Sequence, residues 1–246
     1  MPVQDDAREQ ELVREFNLHW DPDHQRAGVD ANLDIELRRR TLRIDVEVKS
    51  TTRKGVSTAR DVGFDHIQRW RRMFFVVGTY DKRGHRLALQ HSLCLTPIDL
   101  EPWIAGIEAY IAPDYQLAQR ASARLDLPDL FAICGNQPTY SIDDAKKLHK
   151  RQWTAQQYKD AADTKVAGKP RISPRKMLEI LRLRAVYIAE RGATLNNPHI
   201  PLTYLERFKD TDRVVTPGSS AEAIRRIIRE FALANPSHPA LTEVPK

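Results

Sequence analysis

Apolar and polar positions change their period several times along the chain, and each change marks an element. In residues 5–19, Leu12, Val13 and Phe16 recur at helical spacing behind Asp5 and Asp6, so the pattern predicts a helix there. Residues 20–30 hold Trp-Asp-Pro-Asp-His and a glycine, which reads as a loop. The period then drops to two. Leu33, Ile35 and Leu37 alternate with Asp34, Glu36 and Arg38, and Leu42, Ile44, Val46 and Val48 alternate with Arg43, Asp45, Glu47 and Lys49. Two such runs joined by a short polar turn predict a β-hairpin.

Residues 50–61 are polar and basic, a predicted loop. Phe64, Ile67 and Trp70 share one face of a helix over 61–72. The unbroken apolar run 73–80, closed by Asp81-Lys-Arg-Gly84, predicts a buried strand and a turn, and 87–95 predicts another strand. A helix follows from Pro97 to about residue 111, then a proline-bearing stretch over 112–140 with a short helix near 115–125. Beyond Ser141, whose Ser-Ile-Asp-Asp resembles a capping box, the chain turns helical and basic. Ser173-Pro opens an amphipathic helix that Gly192 closes, 194–201 is a loop, and 219–233 is a last amphipathic helix. The order predicts an α/β or α+β core over 1–140 and a basic helical region over 141–246.

Composition narrows the class. With 41% apolar and 29% charged residues, the chain is an ordinary globular one. No apolar run is long enough to span a bilayer and the first residues lack a signal-peptide pattern, so a cytoplasmic protein is expected. Cys94 and Cys134 sit in apolar surroundings and read as buried thiols, and no Cys/His group has zinc spacing. The formal charge of +6 is uneven: residues 141–246 hold 20 Lys/Arg against 12 Asp/Glu, whereas 1–140 hold 19 against 21. A basic region on a balanced protein suits a polyanion.

The hairpin concentrates the chemistry. If Leu33, Ile35, Ile44, Val46 and Val48 share the buried face, then Asp34, Asp45, Glu47 and Lys49 share the other. A turn centred on Arg39-Arg40 sets Asp34 opposite Asp45 and diagonal to Glu47, near enough for two carboxylates to meet one ion. Carboxylate oxygens suit Mg²⁺, which neutralises phosphate charge and activates water, and a neighbouring ammonium orients that water or stabilises developing charge.

Asp34 followed by Glu47-Val-Lys49 at the end of the second hairpin strand resembles the PD-(D/E)XK nucleases, over about residues 5–100. That core is a helix, three strands, a helix and a further strand, a mixed β-sheet flanked by helices. Here the helix would be 8–19 and the three strands 32–38, 42–50 and 73–80. Gly28-Val-Asp-Ala-Asn-Leu-Asp34 and Glu47-Val-Lys-Ser-Thr-Thr52 are similar to type II restriction endonucleases. No proline precedes Asp34, and Asp30 competes as the first acid; Asp34 is preferred because its strand phase agrees with Glu47. The resemblance also implies a glutamate from the first helix, with Glu11 the choice beside Glu9 and Glu15.

The expected function is therefore a Mg²⁺-dependent restriction endonuclease. It would cleave duplex DNA as a homodimer and leave 5′-phosphates, with Asp34 and Glu47 on the metal and Lys49 at the attacking water. The rivals are a structure-selective nuclease of the same kind and a non-catalytic DNA-binding protein. For DNA contact the candidates are Thr52, Arg53, Ser57, Thr58 and Arg60 after the catalytic strand, the basic Lys146, Lys150 and Arg151, Arg175 and Lys176 at the head of the long helix, and Asn196, Asn197 and His199. Each group has a plainer reading. The basic side chains suit a solvated surface, and Asn-Asn-Pro suits a turn. His66 and His91 are read as structural.

Overall fold

The computed structural model describes residues 4–20, 29–52, 55–83, 86–218 and 220–244. Most of the predicted loop over 20–30 lies outside them, as does Arg53. The chain opens with α1 (Gln4–Glu15), β1 (His19–Trp20), β2 (Ala31–Leu37), β3 (Arg40–Thr51), β4 (Gly55–Ser57), α2 (Phe64–Trp70), β5 (Phe74–Arg83), β6 (Arg86–Leu95) and α3 (Pro97–Ala123). Next come α4 (Leu127–Cys134), α5 (Ile142–Leu148), α6 (Ala155–Asp160), β7 (Thr164–Val166), β8 (Lys169–Arg171) and α7 (Pro174–Gly192). It ends with β9 (His199–Pro201), α8 (Leu202–Leu205), β10 (Val214–Val215), α9 (Ser220–Ala234) and β11 (Thr242–Glu243).

The chain forms two compact units, one of residues 1–108 and 195–246 and the other of residues 109–194. The division expected at 140/141 differs from this one. The last fifty residues return to the first unit because they complete its sheet and cover one of its faces. The boundary falls inside α3, which the sequence pattern ends near 111. The helix runs on through Pro113, whose ring nitrogen has no proton for the carbonyl of Ala109, the first residue of the second unit.

The first unit is built on a mixed sheet. Its strand order is β1-β2-β3-β5-β6-β10, and β11 joins β3 near the hairpin turn. All pairs are antiparallel except β3 and β5, which α2 separates in sequence, as a parallel pair requires. The alternation read from the sequence holds: Leu33, Ile35, Ile44, Val46 and Val48 are buried together with Phe74 and Val76. On them lie Leu12, Val13 and Phe16 of α1 and Ile224, Ile227, Ile228 and Phe231 of α9. Phe231 meets Phe74 edge-on, 5.1 Å between ring centroids. On the other face Trp70 of α2 stands against Phe75 and Trp103. Arg71 ties α2 to α3 through the carboxylates of Glu101 and Glu108.

The second unit has its own core, made of Leu130, Tyr140, Ala145, Tyr158, Ile172, Met177 and Ile180. It is not all-helical as expected: β7 and β8 form a hairpin. The predicted caps are present. Ser141 and Asp144 cap α5 reciprocally, and Ser173 caps α7 with Pro174 behind it. Cys94 is buried and Cys134 partly so, and neither is in a disulfide. Burial pushes the Cys94 thiol up to about 12. No helix among the described residues is long and apolar enough to cross a membrane.

Gly78 sets the seating of α1. A Cβ there would stand 2.7 and 2.8 Å from the two terminal carbons of Leu12, which is fully buried and has nowhere to turn. Gly78→Ala is expected to lower stability by about 1–3 kcal/mol in urea unfolding. Its effect should shrink in a Leu12→Ala background, where the opposing carbons are gone.

Candidate functional site

Register decides which acid meets Lys49. The hairpin turn lies at 38–39, with Arg38 in the left-handed region (φ 58°), and pairs Leu37 with Arg40. This is one residue earlier than a turn centred on Arg39-Arg40. Asp34 is therefore opposite Arg43, Asn32 opposite Asp45, and Ala31 opposite Val46. The expected register would set Asp34 directly opposite Asp45, a like-charge pair that weakens a sheet; the observed one gives Asp34 a cation. Arg43 grips it with two hydrogen bonds of 2.9 Å, and those bonds, with the charge of Arg43 and against the opposing effect of burial, hold the Asp34 carboxyl below its usual range.

The acid delivered to Glu47 and Lys49 is Asp30, one residue ahead of β2. Its Oδ2 accepts from Lys49 Nζ at 2.9 Å and from the Val48 backbone N–H at 2.9 Å. Lys49 Nζ also lies 2.8 Å from Glu47 Oε1. The side chains of Lys49, Asp30 and Glu47 retain only 12, 14 and 10% exposure, so this triad is largely withdrawn from water. Burial alone would pull a lysine toward its neutral form. The carboxylates of Glu47 and Asp30, with Glu9 of α1 behind them, outweigh it and raise the Lys49 pKa above the ordinary value. The ammonium thus stays charged through the neutral range. Next along β3, burial pushes the half-buried Asp45 carboxyl up despite the opposing pull of Arg43.

Of the three helix glutamates, Glu9 acts on Lys49 electrostatically. Glu11 instead accepts from the Tyr80 hydroxyl at 3.3 Å, and Glu15 accepts from the backbone N–H of Gly218 at 3.0 Å. The face thus carries two carboxylates on one ammonium, with a third carboxylate in electrostatic reach, and its charge is net negative. Hard oxygen donors of this kind fit a divalent cation. Among the described residues no group of three or more His, Cys, Asp or Glu is disposed to hold a metal ion. A cation here would take Asp30 and Glu47 and fill its shell with water, as small hard cations commonly do.

No protein-family model matches the chain, and no curated protein matches it.

The remaining candidates separate into two groups. Those after β3 and those in 196–199, about 140 residues apart in sequence, come together because β4 pairs with β9. Ser57 Oγ is 3.4 Å from His199 Nδ1, and Thr58 donates to the Pro198 carbonyl at 2.6 Å. Thr52, Arg60 and Asn196 are exposed nearby in sequence, and Asn197 takes the left-handed turn conformation (φ 57°), the plainer of its two readings. The others belong to the second unit. Lys146 is paired with Asp143 and Lys176 with Glu179, while Lys150, Arg151 and Arg175 are exposed. His66 and His91 are held below their ordinary range by burial.

Removing the ammonium leaves two buried carboxylates facing one another. Lys49→Met is expected to cost about 3–5 kcal/mol at neutral or higher pH. In the variant the two carboxylates, left without their shared counter-charge, repel when both are ionised. The penalty is therefore greatest when both are ionised and falls as pH drops and one takes up a proton. Urea unfolding of wild type and variant at about pH 8 and about pH 5 measures this; an equal loss at both pH values would contradict the buried triad.

Proposed function

We propose that this chain is a metal-dependent nuclease that hydrolyses phosphodiester bonds in duplex DNA. In this reading it is of the PD-(D/E)XK kind and acts as a type II restriction enzyme. The observation that carries the proposal is Lys49 Nζ at 2.9 and 2.8 Å from the carboxylates of Asp30 and Glu47. Lysine and two acids, dry and in contact at the end of a hairpin, are the groups this hydrolysis requires. The topology adds support: within the main sheet, α1, three strands (β1, β2, β3), α2 and a further strand (β5) parallel to β3 follow the order the sequence resemblance implies, with the short β4, paired to β9 outside that sheet, between β3 and α2. The run 73–80 then takes the last place in that order, not the third strand.

Asp30 replaces Asp34 in this assignment. Asp30 and Glu47 would hold Mg²⁺, which would neutralise phosphate charge and lower the pKa of water. Lys49, fixed between the same carboxylates, donates to the attacking water or to the charge that builds on the phosphate. Glu9 adds negative potential that favours the cation. One such site cuts one strand, so a double-strand break calls for two chains in a symmetric pair.

The test is digestion of unmethylated phage DNA with Mg²⁺ and with EDTA. Asp30→Asn, Glu47→Gln and Lys49→Ala are each expected to lose about 10²-fold or more in rate. Asp34→Asn, which loses only an exposed pair, should keep its rate within a few-fold. Discrete fragments support sequence-specific cutting, and cleavage confined to branched DNA moves the reading to a structure-selective nuclease. Intact DNA with wild type at every Mg²⁺ concentration overturns the nuclease.

A further inference from the structure

The basic excess of the C-terminal half points to DNA only in general terms. The second unit carries 15 Lys/Arg against 9 Asp/Glu, an excess of six that equals the net charge of the whole chain, so the first unit is neutral. Within the second unit the connectivity is specific. After α4, Tyr140 forms a single antiparallel bridge with Ile172, its N–H and carbonyl both bonded there at 2.8 and 2.9 Å. Then come α5, a turn over 149–154, α6 and the β7–β8 hairpin, and Ile172 follows directly on β8. The hairpin is thus anchored to the segment between α4 and α5, and the helix-turn-helix stands between the two pairing segments.

The turn is locked. Lys150 and Arg151 both take left-handed conformations (φ 56° and 57°), and Arg151 N–H closes on the Lys146 carbonyl at 3.0 Å. The buried His149 lies 3.3 Å from the Tyr158 hydroxyl and meets the Trp153 ring at a tilt of 54°, 4.7 Å between centroids. Thr154 and Gln157 cap α6 reciprocally. With Tyr158 and Ala161 turned into the core, α6 presents Gln156 and Lys159 outward. A few residues on, the hairpin exposes Lys165 and Lys169 around a tight turn at Ala167 and Gly168. The described residues hold none of Lys150, Arg151, Lys159, Lys165 and Lys169 in an ion pair. The acids beside them are engaged: Asp160 accepts from Gln156, and Asp163 accepts from Ser173.

A rigid helix-turn-helix lays its second helix in the major groove, where lysine meets guanine and glutamine meets adenine. Six residues of helix span about 9 Å, which a groove about 12 Å wide admits. We infer that residues 142–171 are the duplex-DNA reading module of this chain, with Lys159 of α6 and Gln156, once it exchanges its bond to Asp160 for one to a base, at base edges and Lys165 and Lys169 of the hairpin on phosphates. The inference rests on the reading of the chain as a DNA-cutting enzyme, for which it supplies the specificity element.

The test is fluorescence anisotropy of the full chain on a labelled DNA duplex in EDTA across a salt series, beside cleavage in Mg²⁺. The triple variant K159A/K165A/K169A is compared with R39A/R72A/K209A, which removes the same charge from exposed positions of the first unit. The module variant should bind at least about tenfold more weakly, with a salt slope shallower by about 0.9 for each phosphate no longer neutralised, while the control stays near wild type. Gln156→Ala should broaden the sequences recovered from a random duplex pool. Equal binding by the two triple variants overturns the inference, as does tighter binding to single-stranded DNA or to duplex RNA. Cleavage by wild type without measurable duplex binding also overturns it and leaves the nuclease standing. Binding that fails only in the module variant, from a wild type that cuts nothing, supports the module and sinks the nuclease.

Discussion

A lysine ammonium withdrawn from water has to be met by negative charge, and the first unit is arranged around that requirement at Lys49. The side chain keeps 12% of its exposure, and its nitrogen is shared between Asp30 and Glu47. Glu47 comes from the same strand two residues earlier, which period-two geometry guarantees. Asp30 comes from the residue just ahead of the other strand of the hairpin, and only one register brings it there. That register is held from several directions. Asp34 and Arg43 attract across the pair, the apolar residues of both strands meet under α1 and α9, and Asp30 takes the Val48 N–H beside the start of β2. Slipping the hairpin would break all three together.

Because β3 pairs with β5 in parallel, a helix has to separate them in sequence, and α2 fills that role with Trp70 turned into the core. Arg71 then fastens α2 to α3, and Arg213 binds Asp99 at the head of α3. The last segments of the chain close the sheet at β10 and cover it with α9. The dry patch around Lys49 is therefore supported by elements from both ends of the chain.

Charge follows the division into units. A neutral first unit carries a small, net negative patch at Asp30, Glu47 and Lys49, and the second unit holds the positive excess of six, four of it between the start of α5 and the end of β8. Sequence order alone hid this, because the chain leaves the first unit inside α3 and re-enters it at Leu195.

Alternation and spacing, visible without any structure, determined the hairpin, its buried face, the two strands after it, the caps of α5 and α7, and Glu47 beside Lys49. These are local properties, set by side-chain period and by hydrogen bonds within a few residues. The partner acid was undecided at that level because shifting a two-residue turn by one position changes every cross-strand pair, and both Asp30 and Asp34 have the right phase. The opposition of Asp34 and Arg43 was a legible signal for the correct register. The meeting of Ser57 with His199, the return of the C-terminal segment and the anchoring of Tyr140 to Ile172 join residues far apart in sequence. No local pattern encodes such contacts; tertiary packing decided them, because each depends on which buried surfaces and unpaired strand edges remain once the local elements have formed.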